Sequence, residues 1–168
     1  MIDCISMYQP WAQWVALGWK TIETRRHNKL ACLARRGKRI VIQAADRWDP
    51  HWQAKSFEFL NDEQFNETWS AEKDNKWPRG ALICTVDVVG HMENMISNEI
   101  NNQEALCDIG GLCGLFLKDV YRFNPIPWKG HQGIMKVPEG VIAHASKHAH
   151  MLHLLNWQTL DERMRPHR

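Results

Sequence analysis

Gln9, Pro10 and Trp11 precede a short apolar stretch, and Lys20, Glu23, Thr24, Arg25 and Arg26 follow it directly, in SMYQPWAQWVALGWKTIETRR (residues 6–26). An indole and a carboxamide at one end, with cations and a carboxylate at the other, suit a single-stranded nucleic acid. Rings stack on bases, and cations follow phosphates. In that reading Trp11 stacks on a base, and Gln9 reads its edge. Lys20 with Arg25 or Arg26 holds phosphate, while Glu23 orients Arg25 or accepts from a base amine. The competing reading makes Trp11 core and Glu23–Arg25 a surface pair, worth at most about 1 kcal/mol. Catalysis would draw on Lys20 with Glu23, Thr24 or Tyr8, since RNA cleavage needs only a base, an acid and a cation near the phosphate. No G-x-S-x-G, Walker or Cys–His nucleophile signature appears.

Two further groups repeat the theme. Arg36 and Lys38, within RRGKR, would add phosphate affinity without sequence information, or else form a solvated loop. Trp128 and Lys129 pair a ring with a cation on a loop stiffened by Pro125 and Pro127. Between Lys20 and Arg39 stand eight Lys/Arg against one acid, so this stretch carries +7 on a chain whose net charge is +2. Such a concentration suggests an anionic partner held at one place. Nine tryptophans add to the same picture. His144, His148, His150 and His153 invite a metal, but no acid completes an H-E-x-x-H motif, and a solvated helix face is the better reading. No metal and no cofactor is expected. The five cysteines form no C-x-x-C pair and read as reduced thiols.

These residues must be positioned by short elements. Residues 2–8 read as a strand, 10–17 as a helix stopped by Gly18, and 20–25 as a strand. A regular strand over 20–25 would put Lys20, Ile22 and Thr24 on one face, and Thr21, Glu23 and Arg25 on the other. Residues 26–37 read as a basic loop, 38–44 as a strand, 50–60 as a helix, and 61–76 as a solvated helix or loop. Strands follow at 81–89, 114–119 and 133–137, with a weak helix within 93–110. The prolines of FNPIPWKGHQ argue against a central strand there. A last helix is expected around 141–156. Five or six short strands without regular helix alternation favour an α+β fold, a small mixed or antiparallel barrel flanked by short helices. At 168 residues one domain is expected. No apolar run is long enough to span a bilayer, and the N-terminus lacks a leader pattern, so an intracellular (cytoplasmic) protein with no membrane contact is expected.

Four blocks in order give this pattern a family likeness. The opening stretch resembles an ASCH signature in which Q-P-W is followed by G-x-K-T-x-E-x-R. RGKRIVIQAADRWD (36–49), PRGALICTVDVV (78–89) and NPIPWKGHQGIMKV (124–137) are similar to its later blocks. The resemblance covers about residues 3–138. Residues 139–168 have no counterpart in it and are expected to form a His-rich helical extension of the same domain. It implies a PUA-like barrel with a cleft that binds nucleic acid, mostly RNA. Amidohydrolases and a ribonuclease activity are known in related folds. The amidohydrolase pattern G-x-K-T-x-T-x-R has a threonine nucleophile where this chain has Glu23, and Thr24 is one residue off. The expectation is therefore a protein that binds RNA or other single-stranded nucleic acid through Gln9, Pro10, Trp11, Lys20, Glu23, Arg25, Arg26, Arg36, Lys38, Trp128 and Lys129. A hydrolase using Lys20, Glu23 and Thr24 is the first alternative, and an adaptor for an acidic protein the second.

Overall fold

The computed structural model describes residues 1–145, without the Arg36 side chain. His148, His150 and His153, and most of the helix expected over 141–156, lie outside the described residues. Six strands are present: β1 (Ile2–Gln9), β2 (Ile22–Arg25), β3 (Arg39–Trp48), β4 (Ala81–Met92), β5 (Cys113–Pro127) and β6 (Ile134–Val137). Five helices join them: α1 (Trp11–Ala16), α2 (Ala31–Arg36), α3 (Trp52–Ser56), α4 (Asp62–Lys73) and α5 (Glu99–Ala105). Another helical segment begins at residue 139. Among the described residues, no helix is long and apolar enough to cross a membrane.

The strands form one mixed sheet in the order β2-β5-β4-β3-β1-β6. β1 runs parallel to β3 and antiparallel to β6, and the other pairs are antiparallel. Three register shifts along β4 and β5 supply bulges that bend the sheet. The expected barrel is nevertheless not closed among the described residues. Its edges are too short to meet. β2 covers only Cys113–Phe116 of β5, and β6 covers only Ile2–Ile5 of β1. Ser6–Gln9 thus extends past β6, and the opening is crossed by a side chain instead of a ladder. The Arg25 guanidinium of β2 donates to the Ser6 carbonyl at 3.1 Å.

The main core lies between the sheet and helices α1 and α2, where Ile5, Val15, Leu33, Ile42, Val86 and Leu115 are buried together. Leu30 and Leu33 explain why residues 31–36 are helical within a stretch expected to be a basic loop: one apolar side is buried. Gly37 ends α2 in the left-handed region at φ 57°, which glycine adopts without a Cβ clash. β5 also runs farther than expected, through Pro125 and Pro127. Beyond Phe116 it has left β2 behind, so this half is an edge strand, where a missing N–H is tolerated. α4 has a capping box, the Asn61 side chain accepting from the Gln64 amide while Gln64 accepts from the Asn61 amide. It fills residues 62–73 of the stretch expected to be a solvated helix or loop, with Thr68 and Ala71 buried and its other residues exposed or half-buried.

Candidate functional site

The end of β1, the start of α1 and strand β2 meet at a cleft of about 570 Å³ lined by Trp11, Lys20, Glu23, Thr24, Arg25 and Arg26. Trp11 opens α1, and its indole N–H donates to Asp49 Oδ2 at 3.1 Å. Asp49 also takes Lys55 Nζ at 2.6 Å and the His51 amide at 2.9 Å. Burial works to raise the Asp49 pKa, but the Lys55, His51 and Trp11 donors outweigh it and hold the carboxyl below its ordinary value. The ring of Trp11 lies edge-to-face on Trp14, with centroids 5.0 Å apart. Lys20 Nζ sits 5.4 Å from the Trp11 ring centroid, a cation–π distance.

The floor is a buried polar chain. Lys20 Nζ donates to the Ala105 carbonyl at 2.7 Å and lies 3.8 Å from Glu23 Oε2. Glu23 Oε1 takes the Arg25 guanidinium at 3.0 Å, and Arg25 in turn reaches Ser6. The side chains of Lys20 and Glu23 are only 1% and 6% exposed. Lys20 and Glu23 were expected on opposite strand faces. β2 begins only at Ile22, however, and the Gly18 turn carries Lys20 under the strand's Glu23 side. Arg26 is exposed at the rim.

Several expected roles do not survive this geometry. Gln9 is fully buried; its amide donates to the Pro78 carbonyl at 2.7 Å, and its oxygen accepts from the Gln13 amide at 3.0 Å. It braces the site and cannot read a base edge. Pro10, after a cis peptide bond, is buried at the start of α1 and does not line the cleft. Thr24 Oγ1 is 3.7 Å from Cys107 Sγ, and among the described residues no base is hydrogen-bonded to it. Lys38 is exposed in the turn before β3 and lines neither cavity described here, and the Arg36 side chain lies outside what is described. Trp128 and Lys129 line not this cleft but a second groove of about 1560 Å³. The tryptophan surplus is mostly structural. Trp14 and Trp52 are buried in one aromatic cluster, packed by Trp11, Trp19, Trp48 and Trp77. Cys4 and Cys84 are buried thiols, pushed up to about 12 by desolvation, and inert as nucleophiles.

Sequence reasoning missed Asp49 and Lys55 in the cleft, and Lys29 and Arg47 in the groove. The block ADRWD did carry Arg47 and Asp49 as a signal, because a strand ending in charged residues places them at the sheet's rim.

Solved structures with a similar arrangement exist. An ASCH protein from Zymomonas mobilis aligns with 82% of this chain and 88% of its own, at 16% identity and a TM-score of 0.47. Two substituted forms of that protein align over 82% of this chain at 15% identity and the same TM-score, covering 88% and 90% of theirs. All three are ASCH domains. That is the family whose four sequence blocks this chain resembles. No protein-family model and no curated protein matches the chain.

Proposed function

We propose that this chain is an ASCH domain protein of the PUA-like group that binds RNA or another single-stranded nucleic acid, with one base entering the cleft beside Trp11. The observation that carries this reading is the cleft itself. Its volume of about 570 Å³ is that of a small-molecule site. An indole forms one wall, the ammonium, carboxylate and guanidinium of Lys20, Glu23 and Arg25 lie at its floor, and Arg26 stands exposed at the mouth. Trp11 supplies a flat apolar wall with Lys20 against its ring, and Arg26 supplies charge for an adjacent phosphate.

A second reading, a hydrolase acting on RNA or on a modified nucleoside, is favoured by one feature. Lys20 Nζ and Glu23 Oε2, 3.8 Å apart, form an ammonium–carboxylate pair that lines the cleft. Such a pair can assist proton transfer to a substrate that reaches it. The test is a titration of labelled single-stranded RNA, single-stranded DNA and duplex DNA at several salt concentrations, followed by anisotropy. Single strands should bind more tightly than duplex, and affinity should fall with salt. Arg26→Ala should weaken binding several-fold without shifting the melting temperature. Absence of binding to any oligonucleotide at low salt sinks the reading and favours an adaptor for an acidic protein. Cut or altered strands after incubation, lost in Glu23→Gln, would decide for the hydrolase.

A further inference from the structure

The cleft does not stand alone. The groove of about 1560 Å³ shares two of its lining residues, Tyr8 and Arg25, with the smaller cleft. This groove is too large for one small-molecule ligand. Its cations are Arg25, Lys29, Arg47 and Lys129, with His27 and His131 beside them, and its acid is Asp46. Lys29, Arg47 and Lys129 are exposed, and among the described residues none of the three is in an ion pair. Their charge is not consumed inside the molecule, unlike that of Lys20.

Tyr8 stands at the junction. It lies in the part of β1 beyond the reach of β6, where the pairing with β3 slips between Met7 and Gln9. Such a bulge re-aims a side chain and often adjoins a site. Tyr8 is 47% exposed, and among the described residues its hydroxyl has no hydrogen-bond partner and its ring no ring contact. An uncovered aromatic ring between two cavities, one nucleoside-sized and one cationic, is a stacking platform.

Resting on the nucleic-acid reading above, we infer that the two cavities are one track for a single strand. The smaller cleft takes one base. Tyr8 stacks the neighbouring base, and Arg25 faces the phosphate that passes between them. Lys29, Arg47 and Lys129 hold the phosphates of the next few nucleotides, with Trp128 as a second flat surface. Length therefore governs affinity.

The experiment compares the full chain with Tyr8→Ala, Tyr8→Phe and the double variant Arg47→Ala/Lys129→Ala. Anisotropy measures binding of single-stranded RNA of two, four, six and eight nucleotides at several salt concentrations. Wild type should gain affinity up to about six nucleotides and then level off. The double variant should bind the dinucleotide as wild type does, lose roughly tenfold or more on the hexamer, and flatten the dependence of log affinity on log salt by about 1.4, or 0.7 per lost contact. Tyr8→Ala should lose roughly tenfold, and Tyr8→Phe should bind as wild type does, since the ring and not the hydroxyl is used. If the double variant keeps the hexamer affinity and salt slope while wild type binds, the track is overturned and the single-cleft reading stands. The same holds if dinucleotide and octanucleotide bind equally in wild type. If nothing binds, both fail together.

Discussion

At the scale of single residues, the cleft depends on charges that are used internally. Lys20 is held by the Ala105 carbonyl and lies beside Glu23, so Lys20→Ala leaves the Glu23 carboxylate buried with Arg25 as its remaining cation. Breaking a buried pair in this way costs on the order of 3 kcal/mol. Urea denaturation of Lys20→Ala should show a loss of that size, and the double variant Lys20→Met/Glu23→Leu should recover much of it. Asp49 gives the molecule a pH dependence. Folding lowers its pKa, so its contribution is fully present above the ordinary aspartate value of about 3.9 and is lost as pH falls through the depressed one. Urea midpoints of wild type and Asp49→Asn should differ near pH 6 and converge toward pH 2. Spacing placed Trp11 near the charged strand, but it set Lys20 on the face opposite Glu23, which the late start of β2 reverses. It was silent on depth, because depth is set by distant partners: the Ala105 carbonyl is 85 residues from Lys20, and the Pro78 carbonyl is 69 from Gln9.

At the scale of elements, the loop after β5 shows how closely backbone and side chain can approach. A Cβ placed on Gly130 would lie 2.3 Å from Gln43 Oε1, and Gln43 is 1% exposed beneath it, donating to the Trp128 carbonyl at 3.2 Å. Gly130→Ala must therefore displace the loop or the amide, an overpacking cost of roughly 1–3 kcal/mol. Gln43→Ala in the same chain should relieve it, as a double-mutant cycle in urea would show. If Gly130→Ala is neutral, the loop is freer than its packing implies. Six strands were legible from apolar alternation and from turn residues such as Gly18 and Gly80. α2 was not, because six residues in a basic run carry little periodicity. Nor was the full length of β5, because its prolines read as a break until its far half is known to be an edge.

At the scale of the whole molecule, the tryptophans form a second centre of cohesion beside the main core. Trp14 ties α1 to α4 through Thr68 Oγ1 at 3.0 Å and meets Trp52 edge-on at 6.0 Å, while Trp52 donates to Glu72 at 2.9 Å. Trp14→Ala should cost roughly 3–5 kcal/mol, read as a lower urea midpoint. A loss under 1 kcal/mol would mean that α4 is held by other contacts. Composition announced the tryptophans but not their use, since a ring that stacks on a base and one that stacks on another ring look alike in a sequence. Openness of the sheet was equally hidden, because it turns on how far β2 and β6 extend along their neighbours. The placement of β1 between β3 and β6 bears on how the chain is made. On the ribosome β1 emerges before both of its neighbours: its parallel neighbour β3 follows some thirty residues later and its antiparallel neighbour only with Ile134–Val137. Until β6 is made this strand carries a bare edge of N–H and C=O groups, a template for other chains. A chain stalled before residue 134 is thus the form most exposed to aggregation, and the one a cell's chaperones would need to cover.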